Sequence, residues 1–382
     1  MKFSYFHLMP WTHVEEVGRD WPISNRLFDP EVATEDYQAY IDQMAYAEEC
    51  GFDWIGCNEH HYSPYGMMTN PDIIGGALTQ RTKTAKLAMM GALVPMLNPV
   101  RVAEEYAMLD VMSGGRLIAG LIRGIPHEYA AYNMAGDESW PRFREAVELI
   151  VKAWTEPEPF GWDGEFYQFK SVSIWPRPRQ QPYPPMLMSA STPDSARFAA
   201  QHRAMMGITN FKDLQVVKDV IAAYKAAARE AGWEPGPEHI LVGANVCIAD
   251  TDDEARKWME QGAAYLFGPL SGGPRTAQKL VLQRTRYYED SSIGQASLDR
   301  RATLKSTTID ERIELGGVIC GSPETVVQQI RRLYDELGHG VMHMVFKVGD
   351  IPNDVVTHGM ELFKEEVLPA VRELGVEVEV GA

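Results

Sequence analysis

Short apolar runs alternate with longer stretches whose apolar residues return every three or four positions, and this alternation leaves the chain few architectures. Residues 2–8 form an aromatic-rich run that Pro10 ends. Residues 52–57, 87–94, 116–121, 186–188, 240–249 and 341–348 repeat the theme. Brief apolar runs bounded by turn residues read as buried strands. Helices lie between them. Tyr37, Tyr40, Ile41 and Met44 share one helical face, with Thr34 as the expected cap and Gly51 as the stop. Asn98-Pro99 opens another helix with Val102, Tyr106 and Leu109 on its buried side. Phe143, Val147, Ile150, Val151 and Trp154 mark a further one, and Ser191-Thr192-Pro193 and Ser322-Pro323-Glu324 start two more. The strand–helix units number seven or eight, as an α/β (β/α)8 TIM barrel requires. An open doubly wound sheet would carry a glycine fingerprint after its first strand, where His7-Leu8-Met9-Pro10 stands.

One such domain is expected over residues 1–382, with insertion loops at 9–33, 156–185 and 266–315. Connections this long inside a compact domain are usually lids or binding loops, placed here at the C-terminal face of the barrel. The middle one holds alternating segments around Phe166 and Val172 and reads as a hairpin. With 36 basic and 53 acidic side chains the formal charge is −17. That sign repels phosphate backbones and anionic lipid, so nucleic acid and membrane surfaces are not expected partners. The longest apolar stretch, residues 87–97, is broken by Gly91 and Pro95, and the start of the chain lacks a signal-peptide core. Cys50, Cys57, Cys247 and Cys320 show no CxxC spacing and read as reduced thiols of a cytoplasmic protein.

Chemistry in such a barrel gathers where strands end. Glu59-His60-His61 stands after the second strand. One histidine there could move a proton at the mouth, both could be structural, or they could help ligate a metal. Ser189-Ala190-Ser191-Thr192 precedes a proline-started helix and offers hydroxyls and backbone N–H groups to an anion, or simply a cap. Arg123 follows the fourth strand, with Glu128 as a possible internal partner. Arg123 and the 189–192 turn follow neighbouring strands, so together they could hold one phosphate. Small residues in Met90-Gly91-Ala92 would let a flat ligand approach, or mark a bend. These residues suggest a phosphate-bearing ligand with a histidine beside it and do not identify a flavin.

Longer motifs narrow the reading. Asn58-Glu59-His60-His61-Tyr62, Thr69-Asn70-Pro71, Leu93 through Glu105, Leu109 through Arg116 and Ile122-Arg123-Gly124 follow one another in an order and spacing that resembles the bacterial luciferase-like flavin-dependent monooxygenases. The 189–192 turn and Gly321-Ser322-Pro323-Glu324-Thr325-Val326 extend the likeness along the chain. The resemblance implies a barrel that binds reduced FMN, supplied by a separate NAD(P)H flavin reductase, and uses dioxygen as co-substrate. It also implies a homodimer. His60 then matches the histidine near the flavin C4a position, and Arg123, less directly Arg142, the phosphate-binding arginines. Ser189, Ala190, Ser191 and Thr192 match the phosphate loop, and Met90-Gly91 the site of a non-proline cis peptide under the flavin. Trp11, Trp21, Tyr62, Tyr65 and Met67, with Met68, would line an apolar pocket suited to a hydrophobic ketone or aldehyde. Two alternatives stay open: a deazaflavin-dependent oxidoreductase of the same family, and a metal-dependent barrel hydrolase using His60, His61 and His343.

Overall fold

The structure, a computed structural model, describes residues 1–14, 21–209, 213–282 and 307–375. Its strands are β1 (Lys2–Phe6), β2 (Trp54–Cys57), β3 (Lys86–Leu93), β4 (Leu117–Ile122), β5 (Phe160–Asp163), β6 (Gln168–Val172), β7 (Met186–Ser189), β8 (Met205–Ile208), β9 (Ile240–Ile248), β10 (Val318–Gly321) and β11 (Val341–Val345). Eight of them, β1–β4, β7–β9 and β11, pair in parallel, and β11 closes the ring onto β1. This is the expected TIM barrel. β10 lies outside the count and pairs with the upper half of β9. β5 and β6 make the antiparallel hairpin of the middle insertion, with Phe166 in its turn. Residues 283–306 of the third insertion and residues 15–20 of the first lie outside the described residues. Among the described residues no helix is long and apolar enough to cross a membrane.

Six helices matter for the site: α1 (Pro30–Glu49), α2 (Pro71–Arg81), α3 (Pro99–Met112), α4 (Pro126–Ala131), α5 (Ser139–Thr155) and α6 (Pro193–Gln201). α1 starts four residues before Thr34. Pro30 is its first residue and the Asp29 carboxylate accepts from the amides of Glu31 and Val32, so a proline start with an acidic cap outranks the threonine. β8 is the barrel strand that periodicity does not reveal, and β10, beside the barrel, also goes unread. β8 is four residues long and follows α6 after a tight turn through Arg203 at φ 52°, with no glycine or proline to set it off.

The barrel interior is built in layers. Trp54, Ala88, Ile118, Leu187, Met205, Leu241 and Val341, one from each of seven strands, pack into a plug. Two residues on, the strand repeat brings Gly56, Met90, Gly120, Ser189, Gly207, Gly243 and His343 to the same inner face. Four of these are glycines, and at each of them neighbouring atoms lie within 4 Å of where a Cβ would stand. A Cβ at Gly56 would come 3.0 Å from the Phe6 ring, and one at Gly243 would come 2.6 Å from Thr209. The β3–β4 ladder slips between Met89 and Ala92. The Tyr106 hydroxyl makes up the lost pairing, accepting from Ala92 N–H at 3.0 Å and donating to the Gly120 carbonyl at 2.7 Å.

The opposite rim of the barrel is held by Arg116, at the N-terminal end of β4. Its guanidinium donates to the carbonyls of Ser113, Thr79, Thr82 and Ala85 and to the Thr82 hydroxyl, at 2.8–3.2 Å, joining the ends of α2 and α3. Arg116→Met should therefore lower stability by about 2 kcal/mol through stranded carbonyls. Chemical denaturation would show it, and an unchanged midpoint would refute the assignment.

Candidate active site

His60 lies three residues past β2, at the end of the barrel where the strands finish. Its Nδ1 is 2.9 Å from Oε1 of Glu128, on α4 just after β4. Nε2 of His127 is 2.7 Å from the same oxygen. Glu128 is fully buried, while the His60 side chain keeps 16% exposure toward the mouth. Burial raises the carboxyl of Glu128, but hydrogen bonds from His127 and His60 outweigh it and bring the group down to about 2. Its ordinary value is 4.5, so this contribution to stability is complete above that pH and is lost as pH falls toward 2. An ionised carboxylate only accepts, which makes Nδ1 of His60 the donor.

His61 turns the other way. Its Nε2 is 2.9 Å from Oε1 of Glu59, whose second oxygen accepts from Leu93 N–H at 3.0 Å and so ties the end of β2 to that of β3. His343 points into the barrel one layer above the plug, paired with Ser4 of β1, with Nδ1 3.2 Å from the Ser4 hydroxyl. Burial pushes its imidazole down to about 3. The structure therefore does not bring His60, His61 and His343 into one ligand set. Among the described residues the ligand-type side chains that gather are His60, His127 and Glu128, with donor atoms within 4.8 Å of one another.

Aromatic side chains surround this cluster. Tyr65 meets His60 edge-on at 4.8 Å, and Trp21 lies edge-on to His127 at 5.9 Å and stacks on Tyr62 at 6.2 Å. Tyr62 is 55% exposed and reaches Tyr132 at 6.5 Å. Trp11 and Met67 are set deeper, in the wall. The Trp11 indole donates to the Leu27 carbonyl, and the Met67 carbonyl accepts from the Tyr37 hydroxyl.

The remaining expected residues occupy the same end. The Met90–Gly91 peptide is cis, and a Cβ at Gly91 would lie 2.4 Å from the Gly120 carbonyl oxygen. β4 and β7 pair Leu121 with Met188, which puts Arg123 level with Ala190. Arg123 lies over the Trp140 ring of α5 at 5.5 Å. Glu128, the residue weighed as its partner, is held by two histidines. Ser189 and Ser191 are exposed. The backbone amides of the turn are less free than expected: Ala190 N–H donates to Gly207 O, and Thr192 N–H to the Ser195 hydroxyl. Thr192 caps α6 in a capping box with Ser195. Arg142 bonds Glu138 at 2.7 Å and lies over Phe166 of the hairpin, whereas Arg144 shares Trp140 with Arg123. Sequence reasoning missed His127 and Trp140 and misread Glu128. The available signal was Pro126-His127-Glu128, a proline helix start directly beyond a barrel strand.

Known proteins share this fold over nearly the whole chain. The oxygenase component of a flavin-dependent trigonelline monooxygenase from Acinetobacter baylyi is 28% identical over 261 residues, 67% of each chain. The crystal structure of monooxygenase RslO1 from Streptomyces bottropensis is similar at TM-score 0.75 and 26% identity, over 97% of this chain and 99% of that one. An F420-dependent secondary alcohol dehydrogenase in complex with an F420–acetone adduct shares the fold at TM-score 0.68 and 18% identity, over 97% and 99% of the chains. A family model described as luciferase-like monooxygenase matches residues 16–339. A closed parallel barrel, a histidine at its mouth and that match together place the chain in the luciferase-like monooxygenase family.

Proposed function

We propose that this protein is the oxygenase of a two-component system, taking reduced FMN from a separate NAD(P)H flavin reductase and inserting oxygen from O2 into a hydrophobic ketone or aldehyde. The observation that carries the reading is His60 held by a buried carboxylate at the same rim as Arg123 and the exposed Ser189 and Ser191. The donor set fits FMN, because a guanidinium and two hydroxyls suit a phosphate. Bound reduced flavin would supply the electrons that activate dioxygen. Arg123, Ser189 and Ser191 hold the anionic tail. Trp21, Tyr62 and Tyr65 exclude water and receive an apolar substrate, and Nε2 of His60 holds or returns a proton at the reacting centre. The work belongs in the cytoplasm, beside the reductase.

The test is incubation with photoreduced FMN, dioxygen and a panel of ketones and aldehydes, with reduced F420 in parallel. Oxygenated product with FMN is expected. Hydride transfer with F420 and no product with FMN would overturn the reading in favour of the deazaflavin alternative.

The same reading makes the protein a homodimer. Met108, Val111 and Met112 on the last turns of α3 are each close to half exposed, apolar side chains that a second copy would cover. Met108→Glu should shift the molecule to monomer in sedimentation. A wild-type monomer at micromolar concentration would contradict the proposal.

A further inference from the structure

We infer that Glu128, braced by His127, is the positioning residue that sets which nitrogen of His60 faces the mouth. The inference rests on the oxygenase reading for its functional consequence, but not for the geometry. An imidazole has two nitrogens with different jobs: in its neutral form one donates and the other accepts, and the bond made by the first decides the role of the second. Here the carboxylate lies 2.9 Å from Nδ1, so Nδ1 carries the hydrogen and Nε2 turns its lone pair toward the open side. The ring has little freedom to change this. Tyr65 closes one edge at 4.8 Å, and His127 stacks at 5.9 Å with Trp21 behind it.

Glu128 suits the role because it is fully buried and shared by two histidines. One oxygen serves both rings, so His127 holds the carboxylate in place while the carboxylate holds His60. The proton that Nε2 accepts stays on the imidazole. Glu128 offsets the resulting positive charge without taking the proton, as the carboxylate of a serine-protease triad does. The other ionisable groups around His60 are Tyr65 and the Glu59–His61 pair, and that pair is already mutually bonded.

Two measurements test this. In the cofactor-free wild type, nitrogen-15 NMR of histidine-labelled protein should show the neutral His60 ring protonated at Nδ1. A ring protonated at Nε2 would overturn the inference whether or not any variant folds. Glu128→Gln should lose that signature, lower the oxygenation rate about 30-fold, less than a full general acid–base effect because His60 itself remains, and leave FMN affinity within about twofold. Glu128→Asp should recover part of the rate. A Glu128→Gln enzyme that keeps the wild-type rate and signature would overturn the inference alone. Absence of any flavin-dependent turnover in the wild type would instead sink the oxygenase reading and leave the tautomer result standing. Stoichiometric metal in the purified protein, lost in His127→Ala, would also overturn it, because Nδ1 would then be a ligand rather than a donor.

Discussion

His60→Ala lowers the rate of flavin-dependent oxygenation by about 1,000-fold and leaves the fold and FMN binding intact; this is the largest effect we expect at a single position. The reason is geometric. His60 is the member of the His60–Glu128–His127 cluster that keeps exposure to the mouth, and its partner fixes its orientation. Alanine removes the group proposed to handle the proton and also leaves the Glu128 carboxylate with one histidine. His60→Gln separates the two effects, since glutamine can still bond the carboxylate but cannot accept a proton at a basic nitrogen. Both variants should be equally slow. Circular dichroism and FMN fluorescence quenching report fold and binding, and product analysis reports rate. A His60→Gln enzyme within tenfold of wild type would show that the proton is handled elsewhere.

Arg123→Ala should weaken FMN binding on the order of 100-fold, the loss of about 2–3 kcal/mol expected when a charge-assisted anion contact goes. Arg123 is level with the 189–192 turn through the β4–β7 register and lies over Trp140. Arg123→Lys should recover only part of the affinity, because an ammonium lacks the planar fork and does not stack in the same way. Riboflavin, which lacks the phosphate, should bind wild type and Arg123→Ala alike. Equal weakening for riboflavin would mean that Arg123 supports the cleft and does not contact the phosphate. Arg116, at the other end of the same strand, gives the contrast. All five of its bonds go to protein oxygens, so its loss should change stability and not affinity.

The barrel was legible because its signal is local. A strand buried on both faces must be apolar throughout, and a helix covering it must repeat every 3.6 residues; both patterns survive in one dimension. β8 escaped because a four-residue strand leading directly out of a helix leaves no such pattern. The start of α1 was misplaced because two cap signals compete within six residues, and the proline with Asp29 wins. Around the mouth, chain position showed which residues stand at strand ends but not which way they face. His60 and His61 are adjacent and go to different carboxylates, Glu128 and Glu59.

By itself, then, the order of residues determined the class of fold and the positions of His60, Arg123 and the 189–192 turn at or just beyond the ends of their strands, because each depends on neighbours within a few residues. The tertiary structure alone decided the pairings. His60 meets Glu128 across 68 residues of chain, Thr192 spends its amide on Ser195, and Arg144 rather than Arg142 joins Arg123 at Trp140. Such choices are made by side chains competing for the same carboxylate, hydroxyl or ring once the barrel has closed, and that competition leaves no periodic trace in the chain.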